Sequence, residues 1–307
     1  MKLSYHRGPE PNFGDELNAT MWDALLPPGF LDQDDSELLV GIGSLLNDTH
    51  APTARKIVIG SGFGGYTAAP DLHDGTWHLL WVRGPRTVAH FGLDPALAIT
   101  DSAIMMAATP LPLARKGVGT AFMPHIDSLQ RGDWARVCRL AGITFLDPRA
   151  PVGDLLATMR GARLILTEAM HGAIMADTLR VPWIGVRPFL PLHRNKWLDW
   201  SESMGIALAP VRARPSSLRE AWAERSGLDA RGSRSRMLLE GLLAAPFNAA
   251  VAQRAAWFLQ NLARDGVPVL SRDPAFRAAL DRSLTTLDAF VRRRATGGDV
   301  TRGLRAV

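Results

Sequence analysis

Short apolar runs recur along the first two-thirds of the chain, each separated from the next by polar or helix-spaced segments. "KLSYH" (2–6), "LLVGI" (38–42), "KIVIG" (56–60), "HLLWV" (78–82), "LAIT" (97–100), "GTAFM" (119–123), "ITFL" (143–146), "RLILT" (163–167) and "WIGV" (183–186) read as strands. Helical patterns are predicted over 14–26, 84–92, 131–141, 152–161, 172–180 and 194–204. Short strands alternating with helices define an α/β fold of parallel sheets with helices on their faces.

The rhythm breaks at "AATPLPLARKGVG" (107–119), where prolines, glycines and a basic pair predict a linker. The strand pattern restarts after it, giving two α/β domains, 1–114 and 117–210. From 211 to 307 the chain turns helical: "SSLREAWAERSG", "SRSRMLLEGLLAA", "AAVAQRAAWFLQNLARDG" and "DPAFRAALDRSLTTLDAFVRRRA". In the last segment Asp273 is predicted to cap and Pro274 to take the first helical position. Phe276, Leu280, Leu284, Leu287 and Val291 then form an apolar stripe, expected to pack into a core.

Composition narrows the class. Of 307 residues, 47% are hydrophobic and 21% charged, the balance of a soluble globular protein with ample core. One cysteine, Cys138, excludes an internal disulfide framework and a Cys-based zinc site. No stretch approaches the roughly 20 apolar residues of a membrane span, and "MKLSYHRGPEPNFGDE" lacks the apolar run of a secretory leader. A cytoplasmic location is expected. The net charge of +5 is uneven: residues 212–307 carry 17 Arg and no Lys against nine Asp or Glu. These charges are interleaved, as on a solvated helical face, and no nucleic-acid partner is expected. The same basic helices would suit peripheral contact with the inner membrane.

Five motifs hold candidate chemistry. "GSGFGG" (60–65) matches G-x-G-x-x-G after a strand, but "YTAAPDLHDG" follows and no helix is expected to open on the glycines, so it does not predict dinucleotide binding. Its glycines, Gly62 among them, would let backbone N–H groups approach an anion or a sugar. "NFGDELN" (12–18) places Asn12 and Asp15 after the first strand, where either can cap a helix and where open α/β sheets bind ligands. "VRGPRT" (82–87) sets Arg83 at a strand end beside a helix N-terminus, a pairing suited to carboxylate or phosphate. "MPH" (123–125) puts His125 at another strand end. "TEAMHGAIMADTLRVPWIGV" (167–186) puts His171 where a strand passes into a helix, with Glu168 three residues earlier and Gly172 and Ala173 leaving room beside it. A helix N-terminus disfavours imidazolium, so a neutral ring is expected there. No metal-ligand spacing, nucleophile elbow or Walker loop occurs.

Together, and in their order along the chain, the five motifs resemble the polysaccharide pyruvyl transferase family, over roughly residues 5–200. The resemblance implies transfer of the pyruvyl group of phosphoenolpyruvate onto two hydroxyls of a saccharide as a cyclic ketal, with no cofactor besides that co-substrate and no metal. It also implies a GT-B-like architecture, two Rossmann-like domains facing a cleft with C-terminal helices packed behind. His171 would be the general acid/base, assisted by Glu168. Arg83, Arg187, Lys196, His125 and Gly172 would hold the donor, and Asn12, Asp15 and Gly62 the acceptor, whether free or lipid-linked. Many members carry arginine two residues before the histidine, whereas this chain has Ala169. A nucleotide-sugar glycosyltransferase and a catalytically silent saccharide-binding protein are the alternative readings.

Overall fold

A computed structural model describes residues 1–187, 194–227, 239 and 241–297. They form two compact units: unit 1 holds 1–111, 194–208 and 271–297, and unit 2 holds 112–187, 209–227, 239 and 241–270.

Unit 1 begins with β1 (Lys2–Ser4), α1 (Phe13–Leu25), β2 (Glu37–Val40), β3 (Arg55–Ile59), β4 (Trp77–Trp81) and α2 (Pro85–Phe91). Unit 2 continues with β5 (Thr120–Met123), α3 (Ile126–Leu129), α4 (Trp134–Ala141), β6 (Thr144–Phe145), α5 (Val152–Gly161), β7 (Leu164–Thr167), α6 (Met170–Thr178) and β8 (Trp183–Arg187). The chain returns to unit 1 for α7 (Arg194–Ser203) and to unit 2 for β9 (Val211–Arg212), α8 (Leu218–Ser226) and α9 (Ala245–Asp265). It closes in unit 1 with α10 (Asp273–Ala295).

Both sheets are parallel throughout, as the alternation predicted. Unit 1 lays its strands side by side in chain order, β1-β2-β3-β4. Unit 2 has the order β6-β5-β7-β8-β9. That order reverses between β5 and β7, and ligands of open α/β sheets bind outside the carboxyl ends of the strands at such a reversal.

Two local expectations fail for physical reasons. "LAIT" is not a strand: a 3-10 turn, Pro95–Leu97, runs into it, and only Ala98 bridges to Val82. The carboxylates of Asp94 and Asp101 accept from the backbone of Ala96 and Ala103, which gives the segment local turns in place of a ladder. Asp273 does not cap α10; it is the first helical residue, Arg272 holds the cap position and Pro274 follows in the first turn.

The helices after 211 do not form a separate extension. α9 buries Ala252, Ala255, Ala256, Leu259 and Leu262 against Phe122, Trp134, Leu166, Ile184 and Val186 in the unit 2 core, its alanines allowing close approach. α10 instead packs in unit 1, where Phe290 meets Phe30 edge-on at 5.9 Å. Its buried stripe is Phe276, Ala279, Ser283, Leu287 and Phe290, while Leu280, Leu284 and Val291 flank it half-buried. "SRSRMLLEGLLAA" (233–245) lies mostly outside the described residues. Among the described residues no helix is long and apolar enough to cross a membrane.

Candidate functional site

The reversal in unit 2 brings two strand ends together. Met123 of β5 is in register with Thr167 of β7, and the Glu168 N–H continues the pairing to the Met123 carbonyl at 2.9 Å. Each strand passes directly into a helix. His125 is the N-cap of α3, its Nδ1 accepting from the Asp127 N–H at 3.3 Å. Thr167 folds its hydroxyl over the other turn, accepting from the Ala169 N–H and donating to the Ala169 carbonyl, both at 3.0 Å. Ala169 is thereby the N-cap of α6, with no side-chain cap of its own.

His125 and Glu168 meet here: the His125 N–H donates to Glu168 Oε2 at 3.1 Å. Glu168 is 0% exposed. Burial first, and the neighbouring Glu220 carboxyl second, push its pKa from 4.5 up to about 8, against the opposing pull of the His125 N–H, Ser128 and Arg131. Near neutral pH Glu168 is therefore largely a protonated acid inside the protein. Its side chain ties the His125 turn from within.

Sequence reasoning missed the residues that surround it. Glu220 on α8 accepts from Trp134 Nε1 at 2.9 Å and from both the N–H and the hydroxyl of Ser216 at 2.7 Å. Burial raises its pKa as well, with Arg131 opposing the rise. Arg131, only 4% exposed, is the buried cation beside both carboxyls. No local pattern marks this cluster, because α8 joins it from a distant part of the chain. Gly132 is the one trace: a Cβ there would lie 2.4 Å from Ser216 Oγ and 2.6 Å from Glu220 Oε1.

α6 has nine residues and eight are buried; the exception is His171, in its first turn. Gly172 lets this turn sit on the strand ends, since a Cβ there would meet Thr167 Oγ1 at 2.4 Å and Met123 Sδ at 3.0 Å. Arg187 ends the next strand, β8, in register with Arg212 of β9, and is exposed. Three adjacent strands thus carry His125, His171 and Arg187 at their carboxyl ends.

The remaining candidates stand in unit 1. Asn12 is the N-cap of α1, but its side chain donates to Asp15 Oδ2 at 2.7 Å and does not cap. Asn18 of the same motif is a structural clamp: it accepts from the Ile42 N–H at 2.9 Å and from Trp22 Nε1 at 3.1 Å, and donates to the Ile42 carbonyl at 3.0 Å. Lys196 lies on α7, half-buried and not free.

Arg83 does not meet the expectation of a donor ligand. It is 0% exposed, with Nε on Asp199 Oδ2 at 3.0 Å, Nη1 on Ser44 Oγ at 2.9 Å and Nη2 on the Phe63 carbonyl at 3.1 Å. Asp199 also accepts from the N–H groups of Arg86 and Thr87, both at 2.9 Å, at the start of α2. The anion that an arginine beside a helix N-terminus should bind is a carboxylate of the chain itself. Gly62 is explained by the same packing, since a Cβ there would lie 2.5 Å from Arg83 Cζ, and it is not left open for an acceptor. No helix opens on "GSGFGG", as expected.

Among the described residues no group of three His, Cys, Asp or Glu is arranged to hold a metal ion. No family model matches the chain. It is 36% identical over 316 aligned positions to the succinoglycan biosynthesis protein ExoV of Rhizobium meliloti (strain 1021), covering 95% of this chain and 99% of that protein. The likeness runs along nearly the whole of both chains. The chain belongs to the polysaccharide pyruvyl transferase family.

Proposed function

We propose that this protein transfers the pyruvyl group of phosphoenolpyruvate onto two hydroxyls of a saccharide, as its family membership implies, and does so during synthesis of an exopolysaccharide, the process its relative's name states. The two units are read as the Rossmann-like halves of a GT-B-like transferase. One observation carries the assignment of the chemistry: in a helix otherwise buried, the one partly exposed residue, at the reversal of the unit 2 sheet, is an imidazole, His171, whose Nε2 is itself buried.

Carbon 3 of the donor gains a proton, which leaves carbon 2 electrophilic. One hydroxyl adds there and loses its proton, the carbon–oxygen bond to phosphate breaks, and a second hydroxyl adds and loses its proton to close the ketal. His171 is assigned the proton transfers. Arg187, His125 and the N-terminus of α6 are assigned the donor's carboxylate and phosphate. Glu168 holds the His125 turn in place. Asn12 and Asp15 are assigned to the acceptor. Arg83 and Gly62 leave the list because they pack against each other and Asp199, and Lys196 has no assigned part.

Incubation with phosphoenolpyruvate and a panel of saccharides tests the reading through phosphate release and product mass. Acceptor-dependent phosphate release with gain of one pyruvyl ketal is expected. His171→Gln should lower turnover by about 10²–10⁴-fold, the usual range for a general acid/base, with an unchanged circular dichroism spectrum. Failure to bind phosphoenolpyruvate would overturn the function, and near-normal turnover of the variant would remove His171 from it.

A further inference from the structure

Unit 2 has a cavity of about 240 Å³, lined by Arg214, Arg254, Trp257, Phe258, Asn261 and Leu262. It lies along one flank of α9. Residues 254, 257, 258, 261 and 262 share that flank by helical spacing, and Arg214 faces them from beyond the end of β9. The flank is well anchored: Leu262 is buried in the unit 2 core and Phe258 packs against it. The face is therefore held rigidly.

Its chemistry is unspent. Arg214 and Arg254 are exposed and have no acidic or hydrogen-bonding partner among the described residues. Most other arginines near acidic groups are paired, as Arg212 is with Glu224 and Arg264 with Asp265. Trp257 is 65% exposed. A single exposed indole is ordinary, but one that lines the same recess as two unpaired guanidinium groups offers an apolar plate and a double positive charge together. Asn261 accepts from Arg264 through its carbonyl oxygen, so its amide remains a donor on the same face. The volume lies just under the roughly 300–1,000 Å³ of small-molecule sites, enough for one ring with a charged substituent. Arginine pairs recognise phosphate, an indole covers the apolar face of a ring, and an amide suits a hydroxyl.

We propose that this cavity is a binding site for a phosphate-bearing saccharide, with the phosphate on Arg214 and Arg254 and the sugar ring on Trp257. None of these residues belongs to the site proposed for pyruvyl transfer, and the test reads binding alone. Titration calorimetry on the full chain would use glucose 1-phosphate, glucose, inorganic phosphate and phosphoenolpyruvate, with cosedimentation on phosphatidylglycerol vesicles beside it. Glucose 1-phosphate should bind more tightly than glucose or phosphate. The double variant Arg214→Glu, Arg254→Glu should lose about tenfold or more of that affinity, as the removal of charge-assisted hydrogen bonds implies. Trp257→Ala should weaken glucose 1-phosphate but not inorganic phosphate, and phosphoenolpyruvate binding should be unchanged in every variant. The proposal is overturned if glucose 1-phosphate does not bind, if the variants bind it like the parent, if phosphoenolpyruvate binding falls with the arginines, or if they serve vesicle binding alone.

Discussion

Glu168 and Arg83 show how much a single side chain depends on the groups around it. Glu168 has a folded-state pKa of about 8 against an ordinary 4.5, so the native state holds its proton more tightly than the unfolded chain does. Its contribution to stability is full below pH 4.5 and is lost as the pH climbs towards 8. Across that window the unfolding free energy should fall by about 1.4 kcal/mol per pH unit from this residue. Urea denaturation at pH 5, 6.5 and 8 should show the fall, and Glu168→Gln should make it shallower; the same slope in both proteins would mean that another group is titrating. Arg83 makes the opposite case. Arg83→Ala should cost about 3–5 kcal/mol, because it leaves Asp199 buried without its cation, and it should appear as a lower urea midpoint. A normal midpoint with a raised KM for phosphoenolpyruvate would restore Arg83 to the donor site. The residue types were legible in the sequence and their partners were not. Nothing local says that Asp199 will turn back to Arg83, or that Arg131 and Glu220 will close around Glu168.

Among the elements, α6 is the one that decides the site. With eight of nine residues buried it has no polar face, so periodicity could not place its start. The prediction of 172–180 falls two residues late because the Thr167 hydroxyl turns the chain immediately after β7. Parallel strands were easier to read: apolar runs gave eight of the nine described strands, and β9 was missed because Val211 and Arg212 lie in "APVRARP", which holds no apolar run. Gly172 links this element to function. Glycine to alanine inside a helix ordinarily stabilises by roughly 0.5–1 kcal/mol. Here the added methyl would strike Thr167 Oγ1 and Met123 Sδ, so Gly172→Ala should destabilise by about 1–3 kcal/mol, as overpacking does. It should also lower turnover by displacing the turn that carries His171. Measurement of the urea midpoint decides the sign, and a stabilised variant would show that the turn has room to spare.

On the scale of the whole chain, the order of segments along the sequence is not their order in space. A linker near 110 was legible from its prolines and glycines, and one unit does give way to the other there. The later returns of the chain were not, because a helix with an apolar stripe states that it must be covered and does not state by what. α10 resolves this only through its contacts: Phe290 on Phe30, the Arg294 guanidinium 5.6 Å above the Phe30 ring, and an ion pair from Arg294 to Glu37 at the start of β2. The last helical segment therefore completes the first unit. Burial of Leu287 and Phe290 is worth roughly 1.5–3 kcal/mol each, so deletion of residues 271–307 should loosen β1 and β2 at the far end of the sequence. Hydrogen exchange on the truncated chain should show faster exchange in β1 and β2, with β5 and β7 protected as before. Equal loss of protection in both sheets would mean that the units unfold together, and no loss in either would mean that α10 is dispensable to the unit it closes.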